Sequence, residues 1–266
     1  RGLAGGLTTG VYGLSSVLVP PVANVMIRNW GVSAAFQIIA VCFAVVLLLA
    51  SAFVEQGPEE AGQMLPGGGR DMSWQEMLCQ KKFYGMCAML LCGGLSGMMV
   101  ISSASDMAQV EAGFSPAAAA LMVSVLSLFN AGGRASAGIL SDKLGRIGTL
   151  SLVFPISVAA LCALFFFGQD SMAVFAVSIA LVGACFGALM GIFPGFTADE
   201  FGQRNNTVNY GILFFGFALS GMLGPQVASW VMSGTGSYRS AFLIAAVVAL
   251  AGFALTFLHR RLAARS

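Results

Sequence analysis

The chain has 266 residues, 58% of them hydrophobic and 9% charged, and a formal net charge of +2. A soluble domain carries roughly 25% charged residues, so the composition excludes a water-soluble protein. The net charge is too small for a nucleic-acid binder. Apolar runs here are far longer than membrane barrel strands of about 10 residues, and hydrocarbon demands that each backbone polar group be satisfied within its own segment. The fold class is therefore an all-α integral membrane bundle.

The chain opens on Arg1-Gly2 where a complete protein would open on Met, which reads as a missing N-terminal part. Runs of about 20 apolar residues predict eight spans, at 3 to 27, 32 to 54, 83 to 105, 115 to 140, 148 to 168, 172 to 196, 206 to 232 and 239 to 258. Gly2, Gly6 and Gly10 recur every four residues in the first span, a spacing that lets helix backbones approach. Between the second and third spans lies the long polar stretch Glu55 to Lys82, with Glu59-Glu60, Pro66-Gly67-Gly68-Gly69 and a short Trp74-containing segment suited to the interface. It reads as a linker and divides the chain at 1–54, 55–82 and 83–266. If the missing part restored symmetry it would add four helices, making these spans 5 to 12 of twelve, in two halves of six.

Taking alternate sides, one face collects Arg1, Arg70, Lys81, Lys82, Lys143, Arg146, Arg204, Arg260, Arg261 and Arg265, the other only Arg28 and Arg239. The positive-inside rule makes the first face cytoplasmic, together with the N-terminus of the chain, the linker and the C-terminus. Of six cysteines, Cys42, Cys87, Cys92, Cys162 and Cys185 sit in apolar runs as structural thiols, and Cys79 lies in a loop. No CxxC pair or other metal-ligand spacing occurs, so no metal and no cofactor is expected.

In the fourth span Arg134 is the ionisable residue placed well inside the hydrocarbon. It precedes Asp142 by eight residues, about 12 Å of helix rise, near the middle of a core about 30 Å thick. An arginine there costs about 2.5 to 3.5 kcal/mol to insert, so it should face a cavity, a partner or an anionic ligand. Its planar fork binds a carboxylate through two parallel hydrogen bonds, which makes Arg134 the candidate substrate anchor. Asn130, one turn away on the same face, can bond the ligand or orient the guanidinium. The alternative is an arginine paired with an acid or with helix carbonyls in the missing part.

Further along, Gly183, Gly187, Gly191 and Gly195 form a second ridge of small residues, suited to helix packing or to surfaces that rock against neighbours. Asp106, at the outer end of the third span, is the candidate group for proton coupling, and a solvated helix end is its plainer reading. His259, beside Arg260 and Arg261, reads as an interfacial anchor without catalytic neighbours, so no enzyme is expected.

The run Gly138-Ile139-Leu140-Ser141-Asp142-Lys143-Leu144-Gly145-Arg146 resembles the cytoplasmic loop signature of the major facilitator superfamily, G-x-L-x-D-R-x-G-R, with Lys143 keeping the charge of the usual arginine. Asp142 can meet a helix N-terminus or an arginine and act as a latch made in one conformation and broken in another, with Gly138 permitting close contact. A plain positive-inside turn is the alternative.

Within that superfamily the chain looks like the oxalate:formate antiporter family. The likeness rests on Arg1-Gly2-Leu3-Ala4, on Asn130-Ala131-Gly132-Gly133-Arg134 leading into Ser141-Asp142-Lys143, and on Asn209-Tyr210-Gly211 with Gly224-Pro225. The resemblance implies an arginine and a lysine that grip the two carboxylates of oxalate. Arg134 matches the arginine, whereas the lysine position, seven residues after Tyr210, is Phe217. The segment from Asn209 to Phe217 is similar to the pyruvate-transporting subgroup, which also lacks the lysine. The implied activity is transport of a small monocarboxylate across a bacterial cytoplasmic membrane by a monomer, through proton symport or exchange. Phe214 and Phe217, with Phe186 from the preceding span, would line the cavity beside Tyr210. The implied partners are a small organic anion, the lipid bilayer and protons, with no nucleic acid. Rival readings are an oxalate-type dicarboxylate antiporter, an exporter of another organic solute on the same fold, and a non-transporting sensor or scaffold.

Overall fold

The structure, a computed structural model, describes residues 2–52 and 71–263; the side chains of residues 2–18, 20, 21, 24, 262 and 263 lie outside the description. Helices account for every regular element among the described residues. By contacts the chain divides into two units, Ser15–Gly67 and Arg1–Leu14 with Gly68–Ser266. Seven stretches among the described residues are long and apolar enough to cross a bilayer: Val25–Ser51, Lys81–Ile101, Pro116–Leu144, Arg146–Phe167, Met172–Phe201, Asn206–Thr235 and Arg239–Arg261. They correspond to the last seven expected spans. The side chains of residues 3–18 in the first expected span, and the ridge of Gly2, Gly6 and Gly10, lie outside the described residues.

The first helix, α1 (Gly2–Ser51), is interrupted at Gly31, whose φ of +80° and ψ of 167° leave the helical region. Only glycine takes that conformation without strain, and the break falls between the first two expected spans. Most of the expected linker, residues 55–70, lies outside the described residues. Its last part forms α2 (Trp74–Leu78), started by a capping box in which Ser73 and Glu76 satisfy each other's backbone N–H. Met77 of α2 is fully buried while Trp74 stays exposed.

The third expected span is not continuous. Helix α3 (Lys81–Ile101) stops at Ser102, and α4 (Ala104–Ala112) follows in a new direction of the backbone after Ser103, at φ −119° and ψ 17°. The Ser102 hydroxyl donates to the Met98 carbonyl at 2.7 Å, a back-bond that loosens and bends helices. Helix α5 (Pro116–Leu144) begins with Ser115 as N-cap and Pro116 in its first turn, and α6 (Arg146–Phe167) follows across Gly145 at φ +75°. Helix α7 (Met172–Phe201) is capped by Ser171. The seventh expected span is two helices, α8 (Asn206–Leu213) and α9 (Phe215–Thr235), meeting at Phe214, and α10 (Arg239–Ala263) closes the fold.

Two seams of small residues bring these helices together. A Cβ built on Gly183 would stand 2.7 Å from the Leu126 carbonyl, one on Gly191 would stand 2.6 Å from the Arg134 carbonyl, and one on Gly187 would collide with the Asn130 carbonyl. Both sets of numbers rise together in steps of four, so α5 and α7 run parallel in backbone contact, with α6 returning between them. The second seam joins α3 to α9. There Gly216 faces the Cys87 carbonyl, the Ser220 hydroxyl donates to the Leu91 carbonyl at 3.0 Å, and Gly224 faces Met98 and Met99. Small residues every four positions are how membrane helices gain van der Waals contact without a hydrophobic driving force.

Candidate functional site

The α5/α7 seam fixes Arg134. Its backbone carbonyl is pressed against Gly191, and the side chain is only 8% exposed, the one buried Lys or Arg among the described residues. Its Nε donates to Asn130 Oδ1 at 3.0 Å, so the expected pairing along one helix face is made. Asn130 thereby sets the roll of the guanidinium.

The four expected aromatic residues form one continuous file. Tyr210 and Phe214 have ring centroids 5.4 Å apart, Phe214 and Phe217 4.6 Å, and Phe217 and Phe186 6.0 Å, all tilted. Phe186 lies against Gly97 of α3, and Phe217 against Gly94. The charge of the Arg134 guanidinium reaches Tyr210, the first ring of the file. Phe214 keeps helical φ and ψ, its N–H donates to the Tyr210 carbonyl and its carbonyl accepts the Ala218 N–H, so Tyr210, Phe214 and Phe217 stay at helical spacing as a chain of touching rings. Arg134 and Asn130 pair on α5, and the rings of Phe186, Tyr210, Phe214 and Phe217 come from α7, α8, the residue between α8 and α9, and α9.

Asp106 does not join them. It is exposed in the first turn of α4, past the break at Ser102, and its charge acts on Tyr238 at the loop before α10. Burial first, and then the Asp106 and Glu111 carboxylates, push the Tyr238 hydroxyl above the usual tyrosine range, against a hydrogen bond from Ser103. Glu111 is the buried acid of this region, and nothing in the sequence reading singled it out. Its carboxylate accepts from the Gln169 side-chain amide at 2.6 Å, the Ser237 hydroxyl at 2.9 Å and the Tyr238 N–H. It ties the end of α4 to the α6–α7 and α9–α10 connections.

At the opposite end the signature run makes a compact polar cluster. Arg146 Nε meets Asp199 Oδ2 at 2.8 Å, its Nη1 meets Asp142 Oδ1 at 3.4 Å, and Nη1 also donates to the Ser141 hydroxyl. The fourth glycine of the α7 ridge, Gly195, does not touch α5; it makes room for the Arg146 guanidinium, 3.1 Å from where a Cβ would stand. Gly138 is buried, whereas Lys143 and Gly145 are exposed. The arginine partner expected for Asp142 is the motif's own Arg146, and Asp199 is a member that sequence reasoning missed.

His259 corrects another expectation. It is not an interfacial anchor: it is 1% exposed, edge-on to Phe196 at 5.2 Å, with Nε2 3.5 Å from Glu200 Oε1. Glu200 also meets Lys82 Nζ at 3.3 Å. The imidazole is turned inward because it sits on the face of α10 that packs on α3 and α7, while Arg260 and Arg261 beside it remain exposed. A surface groove of about 240 Å³ along α1, lined by Val19, Val22, Met26, Ile39, Cys42 and Phe43, offers an anion no polar group.

The pattern of the Major Facilitator Superfamily matches residues 1–225. The chain belongs to this superfamily. Among similar proteins, the oxalate:formate antiporter of Oxalobacter formigenes is 27% identical over 265 residues, covering 98% of this chain and 63% of its own length. The MFS-type transporter YhjX of Escherichia coli (strain K12), uncharacterized by its description, is 29% identical, covering 82% of this chain and 54% of its own length. Monocarboxylate transporter 12 of Xenopus laevis is 27% identical over 150 residues, 56% of this chain and 31% of that protein. The first two matches thus span 54% to 63% of the relatives' lengths. The crystal structure of the major facilitator superfamily transporter FucP in the outward conformation superposes with a TM-score of 0.62 at 18% identity, over 86% of this chain and 55% of that one. That likeness establishes the fold, while the superfamily match and the seven apolar spans among the described residues make this a multi-pass membrane protein.

Proposed function

We propose that this chain is the greater part of a secondary transporter that moves a small monocarboxylate, of the pyruvate, lactate or formate type, by alternating access. The observation that carries the reading is Arg134: a buried guanidinium held by Asn130, whose charge reaches Tyr210, the first of a file of aromatic rings ending at Phe217 and Phe186. One cation neutralises one carboxylate, and apolar rings suit a small uncharged tail. In the resemblance to oxalate:formate antiporters, the position that would hold a second cation is Phe217.

In this reading residues 1–54 complete an N-terminal half, 55–82 link it to the C-terminal bundle of 83–266, and the Lys- and Arg-rich face is cytoplasmic. The protein works as a monomer without a cofactor. Coupling is by exchange, or by proton symport through Asp106 or a carboxylate elsewhere in the whole protein. A second reading, a dicarboxylate antiporter, is favoured by the Oxalobacter formigenes relative, which aligns over 98% of the chain. Export of another organic solute is a third, and an anion-selective cation such as Arg134 weighs against it.

The test is uptake of radiolabelled pyruvate, lactate, formate and oxalate by the full-length protein in proteoliposomes, for wild type, Arg134→Ala and Phe217→Lys. A bidentate charge-assisted pair is worth about 1.5 to 3 kcal/mol, so Arg134→Ala should lose about 10-fold to 150-fold in apparent affinity. Monocarboxylate uptake lost in Arg134→Ala, with oxalate admitted by Phe217→Lys, supports the reading. A folded Arg134→Ala protein that transports normally would overturn it, and oxalate uptake by wild type would favour the second reading.

A further inference from the structure

The stretch Asp71–Ser73, just before α2, runs against the turn between α7 and α8. The Met72 N–H donates to the Phe201 carbonyl at 2.9 Å, and the Met72 carbonyl accepts two side-chain amides, from Asn205 and from Asn209, each at 3.1 Å. One residue earlier, Asp71 Oδ1 accepts the Arg204 N–H at 3.2 Å. The approach is close enough that Gly202, at φ +92°, admits no side chain: its Cβ would stand 2.6 Å from the Asp71 Cα. Met77, one turn into α2, is buried in the same core as Phe201 and Leu213. The segment is therefore held at both its start and its helix.

On the other side of these bonds is α8, a helix of eight residues from Asn206 to Leu213. It gives way to α9 at Phe214, and its first residue, Asn206, donates to the Pro194 carbonyl on α7 at 3.3 Å. The start of α8 takes its position from what grips its first turns. Asn209 supplies that grip and is fully buried, and its Oδ1 has no hydrogen-bond partner. A buried amide satisfied on one side only is a cost that an apolar residue would avoid. The donor half is what the position requires, because the Met72 carbonyl can only accept. The next residue is Tyr210, whose ring packs on Phe214 at 5.4 Å as the first of the aromatic file.

We infer that Asn209 is a positioning residue: with Asn205 it clamps α8 to the Met72 carbonyl and so holds Tyr210 in place at the anion site. The segment that enters the bundle after the polar stretch is thereby coupled to the site. The inference rests on reading Arg134 and Tyr210 as parts of an anion site. The Asx clamp itself is independent of that reading.

The test uses the full-length protein labelled with 3-fluorotyrosine in lipid nanodiscs, with the Tyr210 fluorine signal assigned by Tyr210→Phe. Asn209→Ala is compared with Asn205→Ala and with Asp71→Ala, which is distant in sequence from Tyr210 and cannot alter its signal merely by adjacency. The expected result is a shifted or broadened Tyr210 signal in all three. In proteoliposomes the same variants should raise the KM for pyruvate about fivefold to tenfold with kcat changed less than about twofold, a split that general destabilisation does not produce. A Tyr210 signal that stays put in all three overturns the clamp whatever the protein transports. A signal that moves while KM does not overturns the link to the site. If wild type carries no anion, the anion reading falls and the assigned role falls with it, while the fluorine signal still decides whether the clamp holds Tyr210.

Discussion

Arg146, at the start of α6, holds Asp199, near the end of α7, with Nε 2.8 Å from Oδ2, and it does so across the gap that Gly195 leaves open. The Asp199 side chain is 55% exposed, so solvent screens the pair and its contribution is about 1 kcal/mol or less. That is too little to matter for folding. It is enough to shift a two-state equilibrium by a factor of about five. Asp199→Asn should leave the thermal midpoint in detergent nearly unchanged yet alter the rate of substrate exchange several-fold. The swapped pair Arg146→Asp with Asp199→Arg should recover part of the wild-type rate. A large loss of thermal stability in Asp199→Asn would show the contact to be structural instead.

The α5/α7 seam makes a sharper contrast between glycines. At Gly187 any Cβ would run into the Asn130 carbonyl, a backbone atom that cannot step aside, whereas Gly132 has nothing within 4 Å of its Cβ position. Gly187→Ala should destabilise by about 1 to 3 kcal/mol or more through overpacking. Gly132→Ala should be neutral or stabilising, by up to about 1 kcal/mol, because alanine is the better helix former. Thermal unfolding of the two purified variants decides the matter. Equal midpoints would mean that the helices can separate at no cost.

The spans were legible in sequence because hydrocarbon leaves the chain few options, and the seam was legible because Gly183, Gly187 and Gly191 carry the four-residue period of a helix face. The aromatic file was approached through family likeness together with the three-residue spacing of Phe214 and Phe217. What escaped was of two kinds. The breaks at Ser102 and Phe214 involve residues that ordinarily sit inside helices, and a hydropathy run passes straight over them. Polar residues at span ends, such as Glu111, Asp199, Glu200, Asn205 and Asn209, act through partners 50 to 140 positions away, which no local pattern encodes. His259 was misplaced for the same reason: its two arginine neighbours suggested an interface, while the helix face it occupies points inward. One local signal was available and unused, the Ser73 to Glu76 spacing of a capping box, which marks the start of α2.

Asn130 offers a test of how Arg134 is aimed. Asn130 Oδ1 accepts from Arg134 Nε, so Asn130→Ala should free the guanidinium to turn and weaken anion binding about threefold to tenfold, the worth of one hydrogen bond. Asn130→Asp should do more harm, because a carboxylate beside the guanidinium competes with the anion for the same charge. Substrate-protection assays on the full-length protein should rank wild type above Asn130→Ala, and Asn130→Ala above Asn130→Asp. If Asn130→Asp binds as well as wild type, the anion does not use Arg134.

Glu111 should prove to be a structural anchor of the outer connections. Its carboxylate is buried and accepts from Gln169, from Ser237 and from the Tyr238 N–H. The last two stand just before α10, where a negative charge also complements the positive end of the helix dipole. Glu111→Ala takes the acceptor from three donors; the Tyr238 N–H is buried and costs about 1 to 3 kcal/mol when left unpaired, whereas half-buried Ser237 and exposed Gln169 can turn to water. A fall in unfolding free energy of about 2 to 4 kcal/mol is expected. Glu111→Gln keeps the shape and one acceptor but loses the charge and sets an amide against the donors, so it should fall between wild type and Glu111→Ala. The order is set by acceptor count and charge, and hydrogen exchange at the Ser237–Tyr238 amides should follow it, rising from wild type through Glu111→Gln to Glu111→Ala. Protection unchanged in Glu111→Ala would mean that the α9–α10 connection is held by packing around Tyr238 and Phe242 alone.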